Sequence, residues 1–541
     1  MTLLSRYTVF ALCLLGCLAC AGVLVATQGR LHLDALGLAF TLFLALALTG
    51  IIDLLQAPHS IQRNYPVIGH IRWMVEFVRP EIRQYLLEGE EDGMPFSREQ
   101  RSLVYRRAKG EKAEAPFGTL LDVYVNGFEF IGHSARPVPA ADPRTFRVTI
   151  GDEACARPYS ASIFNISAMS FGSLSANAIR ALNKGAALGG FYHDTGEGSI
   201  SPYHREHGGD IVWEVASGYF GCRTPEGRFD PVRFAEQARA DQVKMIEIKL
   251  SQGAKPGHGG VLPAKKVTRE IALTRGIPMG TDCISPAVHS AFSTPLELME
   301  FIARLREGSG GKPVGIKLCI GHPWEFMAMV KAMRQTGVRP DFIVVDGAEG
   351  GTGAAPSEFA NHIGAPMREG LLLVHNTLVG AGLRERIKIG AAGKIVSAFD
   401  IASVLAIGAD WANAARGFMF ALGCVQSLSC NTNHCPTGIA TQDLLRQRGL
   451  VVGDKAERVR AFHANTLKAL AEVLAAAGLD DPAALGPQHL VRRVSAFEVE
   501  QFSELHVFLQ RDSLLDGSCD HKMYARNWAI SSADRFEAVG R

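Results

Sequence analysis

The chain has almost no excess of charge: 56 Lys and Arg stand against 54 Asp and Glu, a net +2 over 541 residues. With no dense basic run either, it has no electrostatic footprint for nucleic acid. It also has no disulfide framework. The 11 cysteines are an odd number, scattered except at Cys13, Cys17 and Cys20 and in a loop at Cys424, Cys430 and Cys435. That usage fits a reducing compartment. Internal repeats and low-complexity tracts are absent, which excludes solenoids and long linkers. What is present is a large apolar fraction, 47%, and 56 glycines. This is enough for one large barrel with additions and many tight turns.

Long uncharged apolar runs occur in one place, the first 57 residues. Residues 9–27 and 35–52 are each near the roughly 20 residues that cross a bilayer as helix. Gln28, Arg30 and Asp34 lie in the short polar break between them. Arg63, Arg72, Arg79 and Arg83 follow, the excess that marks the cytoplasmic side. Residues 1–57 are thus expected to be a transmembrane helical hairpin in the cytoplasmic (inner) membrane, with the rest of the chain on the cytoplasmic side. Two other readings stand beside it: a signal peptide, since Leu14-Leu15-Gly16-Cys17 resembles a lipoprotein cleavage box, and a buried hairpin of a soluble protein. Residues 58–150 read as a connecting segment. In its stretch 71–87, apolar Trp73, Phe77 and Val78 alternate with Arg72, Glu76 and Arg79, the pattern of a surface helix.

From about residue 160 short apolar runs alternate with helical ones. Strands are expected at Phe164, Met245, Val314, Phe342, Arg386 and Trp411, with helices at 175–187, 295–306 and 397–406. Strand–helix alternation over this length predicts an α/β fold, a (β/α)8 TIM barrel over 151–445. An open doubly wound sheet is the alternative. Barrel chemistry sits on loops at the C-terminal ends of strands, where the informative residues fall. A glycine loop of Gly390, Ala391, Ala392, Gly393 and Lys394, followed by a helix, can present N–H groups to a phosphate. Arg416 and Gly417 follow the last strand, and a phosphorylated cofactor such as FMN would suit the pair of loops. Lys249, Lys255, Lys317 and Arg275 lie on or near the same rim. They suit a carboxylate and an electron-rich flavin, or else a solvated face. Glu197 reads as a proton-handling group or a turn residue.

Cys424, Cys430 and Cys435, spaced C-x5-C-x4-C in a loop rich in Ser, Asn and Pro, can converge on one iron–sulfur cluster. Three ligands suit 3Fe-4S, or 4Fe-4S with one further ligand. The alternatives are zinc with His434 as fourth ligand and buried free thiols. Residues 446–541 read as a helical C-terminal extension without chemistry.

In order, Ala168-Met-Ser-Phe-Gly-Ser-Leu-Ser175, Asp194-Thr-Gly-Glu-Gly198, Val215-Ala-Ser-Gly-Tyr-Phe-Gly221, Ile248-Lys-Leu-Ser-Gln-Gly-Ala-Lys-Pro-Gly257, Asp346-Gly-Ala-Glu-Gly-Gly-Thr-Gly-Ala354 and the cysteine loop with Pro436-Thr-Gly-Ile-Ala-Thr-Gln442 resemble the FMN-binding synthase domain of glutamate synthase, over about residues 160–445. The resemblance implies FMN beside a 3Fe-4S cluster and reduction of the imine of 2-oxoglutarate and ammonia. It implies that Cys424, Cys430 and Cys435 hold the cluster. Ala168, Met169, Ser170, Lys317, Gly350, Gly351, Gly390 to Lys394, Arg416 and Gly417 would surround the FMN. Lys249, Lys255 and Arg275 would grip carboxylates, and Glu197 would lie where the amine enters.

Three departures qualify it. Membrane helices stand where the family has a glutaminase domain, so ammonia is expected from outside, for instance from a separate amidotransferase. No nicotinamide domain follows the barrel, so an external electron donor is expected, a ferredoxin or a membrane redox partner. Where the family commonly has Pro-Gly-Glu-Gly-Gly-Gln, this chain has Pro256-Gly-His258-Gly-Gly-Val261, so a substrate amide contact is replaced by an apolar side chain. Loss of one polar contact can change substrate choice strongly. A different amine or oxo acid, and a non-enzymatic electron relay, therefore stand as alternatives.

Overall fold

The computed structural model describes residues 3–27, 33–56, 60–82, 87–89, 92–112, 114 and 116–540. They form two compact units, Met1–Arg98 and Glu99–Arg541. In the first unit, helices Leu3–Ala26 and Leu33–Leu55 pack on each other. The Phe10 ring fills the space beside Gly50, and the Phe43 ring the space beside Gly16. That reciprocal pairing is the register of an antiparallel hairpin. Stretches Tyr7–Ala26 and Ala35–Leu55 are long and apolar enough to cross a membrane, and Leu12, Leu15, Leu18, Leu42 and Leu48 point outward. Near the end of the second helix, Asp53 is buried. It accepts hydrogen bonds from Val67 N–H at 2.9 Å and from His70 Nε2 at 2.8 Å. The expected surface helix is present as Gly69–Ile82. Gln28, Arg30 and Arg83 lie outside the described residues.

The second unit is built on a closed barrel. We number its strands β1 (Phe164–Ile166), β2 (His193–Asp194), β3 (Ile211–Val215), β4 (Val243–Lys249), β5 (Val314–Leu318), β6 (Phe342–Asp346), β7 (Lys388–Ala392) and β8 (Trp411–Ala414). Each pairs in parallel with the next, and β8 closes on β1 through Ala412 opposite Phe164. This is the (β/α)8 barrel expected from the alternation. Every residue of β3, β5 and β8 is buried, as befits strands covered on both faces. The helices between strands begin on sequence signals. Thr294 with Glu297 and Ser397 with Asp400 form capping boxes, and Pro295 occupies a first helical turn.

The outer layer continues past residue 445. Helix Val452–Ala476 lies against helix Ala176–Gly189, where Gly185 has Val459 and Ala456 in the space a Cβ would take. The expected helical extension also contains a hairpin, Leu490–Arg493 with Val499–Gln501. It joins Glu129–Ile131 in a three-stranded antiparallel sheet.

Candidate functional site

At the C-terminal ends of β1 and β2, two loops touch through glycines. A Cβ on Gly196 would lie 2.7 Å from Ser170 N. One on Gly198 would lie 2.8 Å from Ser170 Cβ and 2.9 Å from Arg275 Nη2. Arg275 ends helix Arg269–Arg275 in the long connection from β4 to β5, where Gly276 turns left-handed at φ 66°. Its guanidinium is buried, donates to Phe171 O at 3.0 Å and Ser170 Oγ at 3.4 Å, and lies 5.2 Å from the Phe220 ring centre. Four sequence-selected elements thus meet: the loop of Ala168, Met169 and Ser170, the loop of Glu197, the Phe220 segment and Arg275.

Beneath this rim the barrel holds a layer of paired charges. Register sets Glu214 opposite Glu247, and Lys317 opposite Lys249. Lys249 Nζ lies 3.3 Å from Glu197 Oε2 and 3.4 Å from Glu214 Oε1. Lys317 Nζ is bonded to Glu214 Oε2 and lies 3.7 Å from Glu247. Asp194, Glu214 and Glu247 have oxygens within 4.8 Å of one another, and Lys317 supplies the cation among them. Burial pushes the Glu247 carboxyl well up, with Asp194 adding to it, and burial raises Asp194 to about 7. Burial works against Glu214 too, but Lys249 and Lys317 outweigh it and hold that carboxyl down. The pair Asp194–Glu247 therefore keeps a proton at neutral pH while Glu214 stays ionised between two ammonium groups. Lys255 is also buried, donates to Gly259 O at 3.2 Å and feels the Glu197 charge. Glu197 is thus shared by two lysines. All four sequence-selected cations are buried or nearly so, which removes the solvated-face reading.

On the opposite side, the glycine run after β6 approaches the β4 loop: a Cβ on Gly253 would lie 2.0 Å from Gly347 O. Gly350 sits in this contact, and Gly351 faces the Arg416 guanidinium, which donates to Glu349 O at 3.0 Å. The expected phosphate loop differs in detail. Gly390, Ala391 and Ala392 belong to β7, and Gly390 packs flat against the Trp411 ring. Only Gly393 and Lys394 turn out of the strand, Lys394 at φ 53°. The N–H groups of Val396 and Ser397 are taken by Asp400 Oδ2, at 2.9 and 2.8 Å. Lys394, Arg416 and the first turn of helix Arg416–Leu422 at Gly417 follow at the ends of the last two strands. Its N-cap, Ala415, has no capping side chain. Burial lowers the Lys394 ammonium, and neighbouring Arg416 lowers it further. Two cations thus lie at the ends of β7 and β8, where barrels commonly bind phosphate.

Cys424 follows the left-handed Gly423 that ends this helix. Its thiol accepts from Gln426 N–H at 3.4 Å, and burial pushes it up to about 12. Burial also raises Cys430, with Cys435 adding to it. Burial would do the same to Cys435, but Thr437 Oγ1 at 3.4 Å and the N–H groups of Ala440, Thr437 and Ile439 outweigh it and lower the thiol. Donors turned toward sulfur are what a metal-bound thiolate needs. Zinc would draw its ligands to about 3.8 Å of one another, given Zn–S bonds of roughly 2.3 Å. Among the described residues, the one group of three such ligands within 4.8 Å is Asp194, Glu214 and Glu247. Cys424, Cys430 and Cys435 with His434 do not form such a tight group among the described residues.

Residues 141–480 match the conserved region in glutamate synthase. The chain belongs to this family. It is 37% identical over 478 residues to the glutamate synthase large subunit-like protein YerD of Bacillus subtilis, covering 81% of this chain and 90% of that protein. It is 36% identical over 339 residues to the archaeal-type glutamate synthase (NADPH) of Thermotoga neapolitana, covering 62% of this chain and 63% of the relative. A third relative, the archaeal glutamate synthase (NADPH) of Methanocaldococcus jannaschii, is 37% identical over 343 residues, covering 62% and 63%. The chain is a glutamate synthase-like oxidoreductase, of the class that acts on CH–NH2 groups.

Several residues of this glutamate synthase-like site belong to no motif in the sequence. Glu214 and Glu247 are single acids inside apolar strands. His289 bridges Tyr219 Oη at 3.0 Å and Lys249 O at 2.9 Å, holding the end of β4. Tyr105, in the segment read as connecting, donates to Cys424 O at 2.5 Å. Lys266 reaches the cysteine loop from the β4–β5 connection. For Glu214 and Glu247 one usable signal existed: an acid two residues from Lys249 or inside a strand calls for a buried partner.

Proposed function

We propose that the protein is a membrane-tethered, FMN- and iron–sulfur-dependent synthase that reductively aminates a 2-oxo acid, with 2-oxoglutarate and ammonia giving glutamate. The observation that carries this is the division of the barrel mouth. Glu197, Lys249, Lys255 and Arg275 gather at the β1, β2 and β4 loops, while Lys394, Arg416 and Gly351 gather at the β6 to β8 loops. The second group fits the phosphate of FMN; Ala168, Met169, Ser170 and Lys317 would border its ring. Cys424, Cys430 and Cys435 fit a 3Fe-4S cluster. When bound, FMN supplies the hydride for an imine carbon, and the cluster supplies single electrons to FMN.

The chain's own residues do the rest. Lys249, Lys255 and Arg275 bind and orient the carboxylates of the oxo acid. Glu197, ion-paired with Lys249 and near Lys255, draws in and orients the entering ammonium by its charge. The proton shared by Asp194 and Glu247 keeps the charge layer under the site neutral enough to stay dry. Net, 2-oxoglutarate, ammonium, two electrons and two protons give glutamate and water. Electrons would come from a ferredoxin or a membrane redox partner, and ammonia from solution or a separate amidotransferase. The two apolar helices would anchor the chain in the cytoplasmic membrane with the barrel on the cytoplasmic side.

The test is anaerobic reduction of the detergent-purified protein, followed by 2-oxoglutarate with ammonium. Reoxidation of the flavin with glutamate formed supports the synthase. A reduced flavin that stays reduced with these substrates, but reoxidises with another oxo acid or with methylamine, moves the specificity, and the Val261 departure would explain it. No reoxidation with any of them leaves an electron relay. Separately, Cys430→Ser should abolish iron–sulfur absorption; full iron content in that variant would sink the cluster assignment.

A further inference from the structure

Lys266 ends the short turn Ala264–Lys266 and is 2% exposed. Its ammonium donates to three backbone carbonyls: Ser173 O at 2.8 Å, Cys430 O at 3.2 Å and Ala440 O at 3.3 Å. An ammonium has three N–H donors and a neutral amine two, so this set of acceptors suits the charged form. The three carbonyls come from three pieces of the site. Ser173 is in the loop after β1 that begins with Ala168, Cys430 is a cluster ligand by our reading, and Ala440 is in the segment whose N–H groups turn toward Cys435. A second strap runs beside it, Gln442 Nε2 donating to Gly172 O at 3.0 Å and Leu174 O at 2.9 Å. Burial lowers the Lys266 ammonium to about 8, and the thiols of Cys430 and Cys435 act against that shift. Other cations face the same region: Arg275 and Lys265 near Lys266, and Arg101 near Cys424. Lys266 is bonded directly to the ligand loop through Cys430 O.

We propose that Lys266 is the positioning residue that ties the cysteine loop to the flavin-side loop and serves as the fixed counter-charge setting the cluster's reduction potential. The inference rests on the cluster reading given above. Three thiolates on an iron–sulfur core leave a net negative charge, which grows by one on reduction. A buried cation beside it stabilises the reduced form more than the oxidised one, and little solvent is present to screen the effect. Removing the charge therefore makes the cluster harder to reduce. Keeping the charge on a different shape should keep the potential.

The experiment is an anaerobic redox titration of the full-length, detergent-purified protein, followed by EPR, with iron content measured in parallel. Lys266→Gln should disfavour reduction at least tenfold, about 59 mV more negative for a one-electron couple, while Lys266→Arg stays near the parent. A Lys266→Gln protein with iron and potential unchanged overturns the proposal. If Lys266→Gln loses its iron, Lys266→Arg decides. Retained iron and potential there support the need for a cation, and loss in both shows a requirement of shape alone and overturns the charge role. A parent protein without iron–sulfur signals is a different failure: it removes the cluster reading itself, and this inference with it.

Discussion

A Cβ added to Gly260 would lie 1.9 Å from Glu197 Oε1. The clashing atom is the end of a flexible side chain, so Gly260→Ala should cost little stability yet push the carboxylate away from Lys249. The expected result is an unfolding midpoint close to the parent's, unchanged flavin content, and an apparent affinity for the oxo acid weakened at least tenfold. Unaltered affinity would show that Glu197 can move without consequence. Asp194 gives a pH prediction. Burial, with Glu214 beside it, raises its carboxyl to about 7 while Lys317 opposes the shift; an unfolded Asp titrates near 3.9, roughly. Between these values the folded form binds the proton and the unfolded chain does not, so this group makes stability fall as pH rises from about 4 to about 7. Asp194→Asn removes that contribution. Its unfolding midpoint should therefore gain on the parent's as pH is raised from 5 to 8, and parallel pH curves for the two proteins would count against the shared proton.

The long helix Val452–Ala476 is the element that closes the outer ring beside β1, through contact with helix Ala176–Gly189. Gly185→Ala sets two effects against each other. Alanine favours an exposed helix by about 1 kcal/mol over glycine. Here its Cβ would meet Val459 Cγ1 at 2.5 Å and Ala456 O at 2.8 Å, and overpacking costs about 1–3 kcal/mol. One neighbour is backbone and cannot swing aside, so the loss should win. Gly185→Ala should lower the midpoint, and adding Val459→Ala should recover part of it; a stabilised single variant would sink the close-packing account. The same scale shows what was legible in advance. Strands β1, β4, β5, β6, β7 and β8 stood out as apolar runs, and the alternation gave the barrel. β2 is only His193–Asp194, too short to make a run. β3 carries Glu214, whose partner Lys317 is about a hundred residues away. The cations and cysteines were legible because their motifs are local. The loop expected at Gly390–Lys394 leaves its strand only at Gly393, because Gly390 looks like a turn glycine but lies in β7 against the Trp411 ring on the next strand. Lys266 and Tyr105 were invisible because their partners are backbone carbonyls brought near only by the closed barrel.

At the scale of the whole molecule, the two units solve different solvation problems. Residues 99–541 are built on a barrel sheet that closes on itself and so has no open edge of its own. Their core is buried within the unit, including the charge layer of Asp194, Glu214, Glu247 and Lys317. The helices of the first unit instead turn Leu12, Leu15, Leu18, Leu42 and Leu48 outward. In water that surface costs about 25 cal/mol for every Å² exposed, whereas in lipid it costs nothing and the helices satisfy their own backbone. A chain of residues 99–541 should accordingly be soluble without detergent, unfold in one cooperative transition and retain bound flavin. The full chain should stay with membranes through an alkaline carbonate wash and leave them only in detergent. If the full chain washes off as a soluble protein, the hairpin is not a membrane anchor. If the 99–541 chain aggregates or loses its flavin, the barrel unit depends on the N-terminal unit and is not an independent fold.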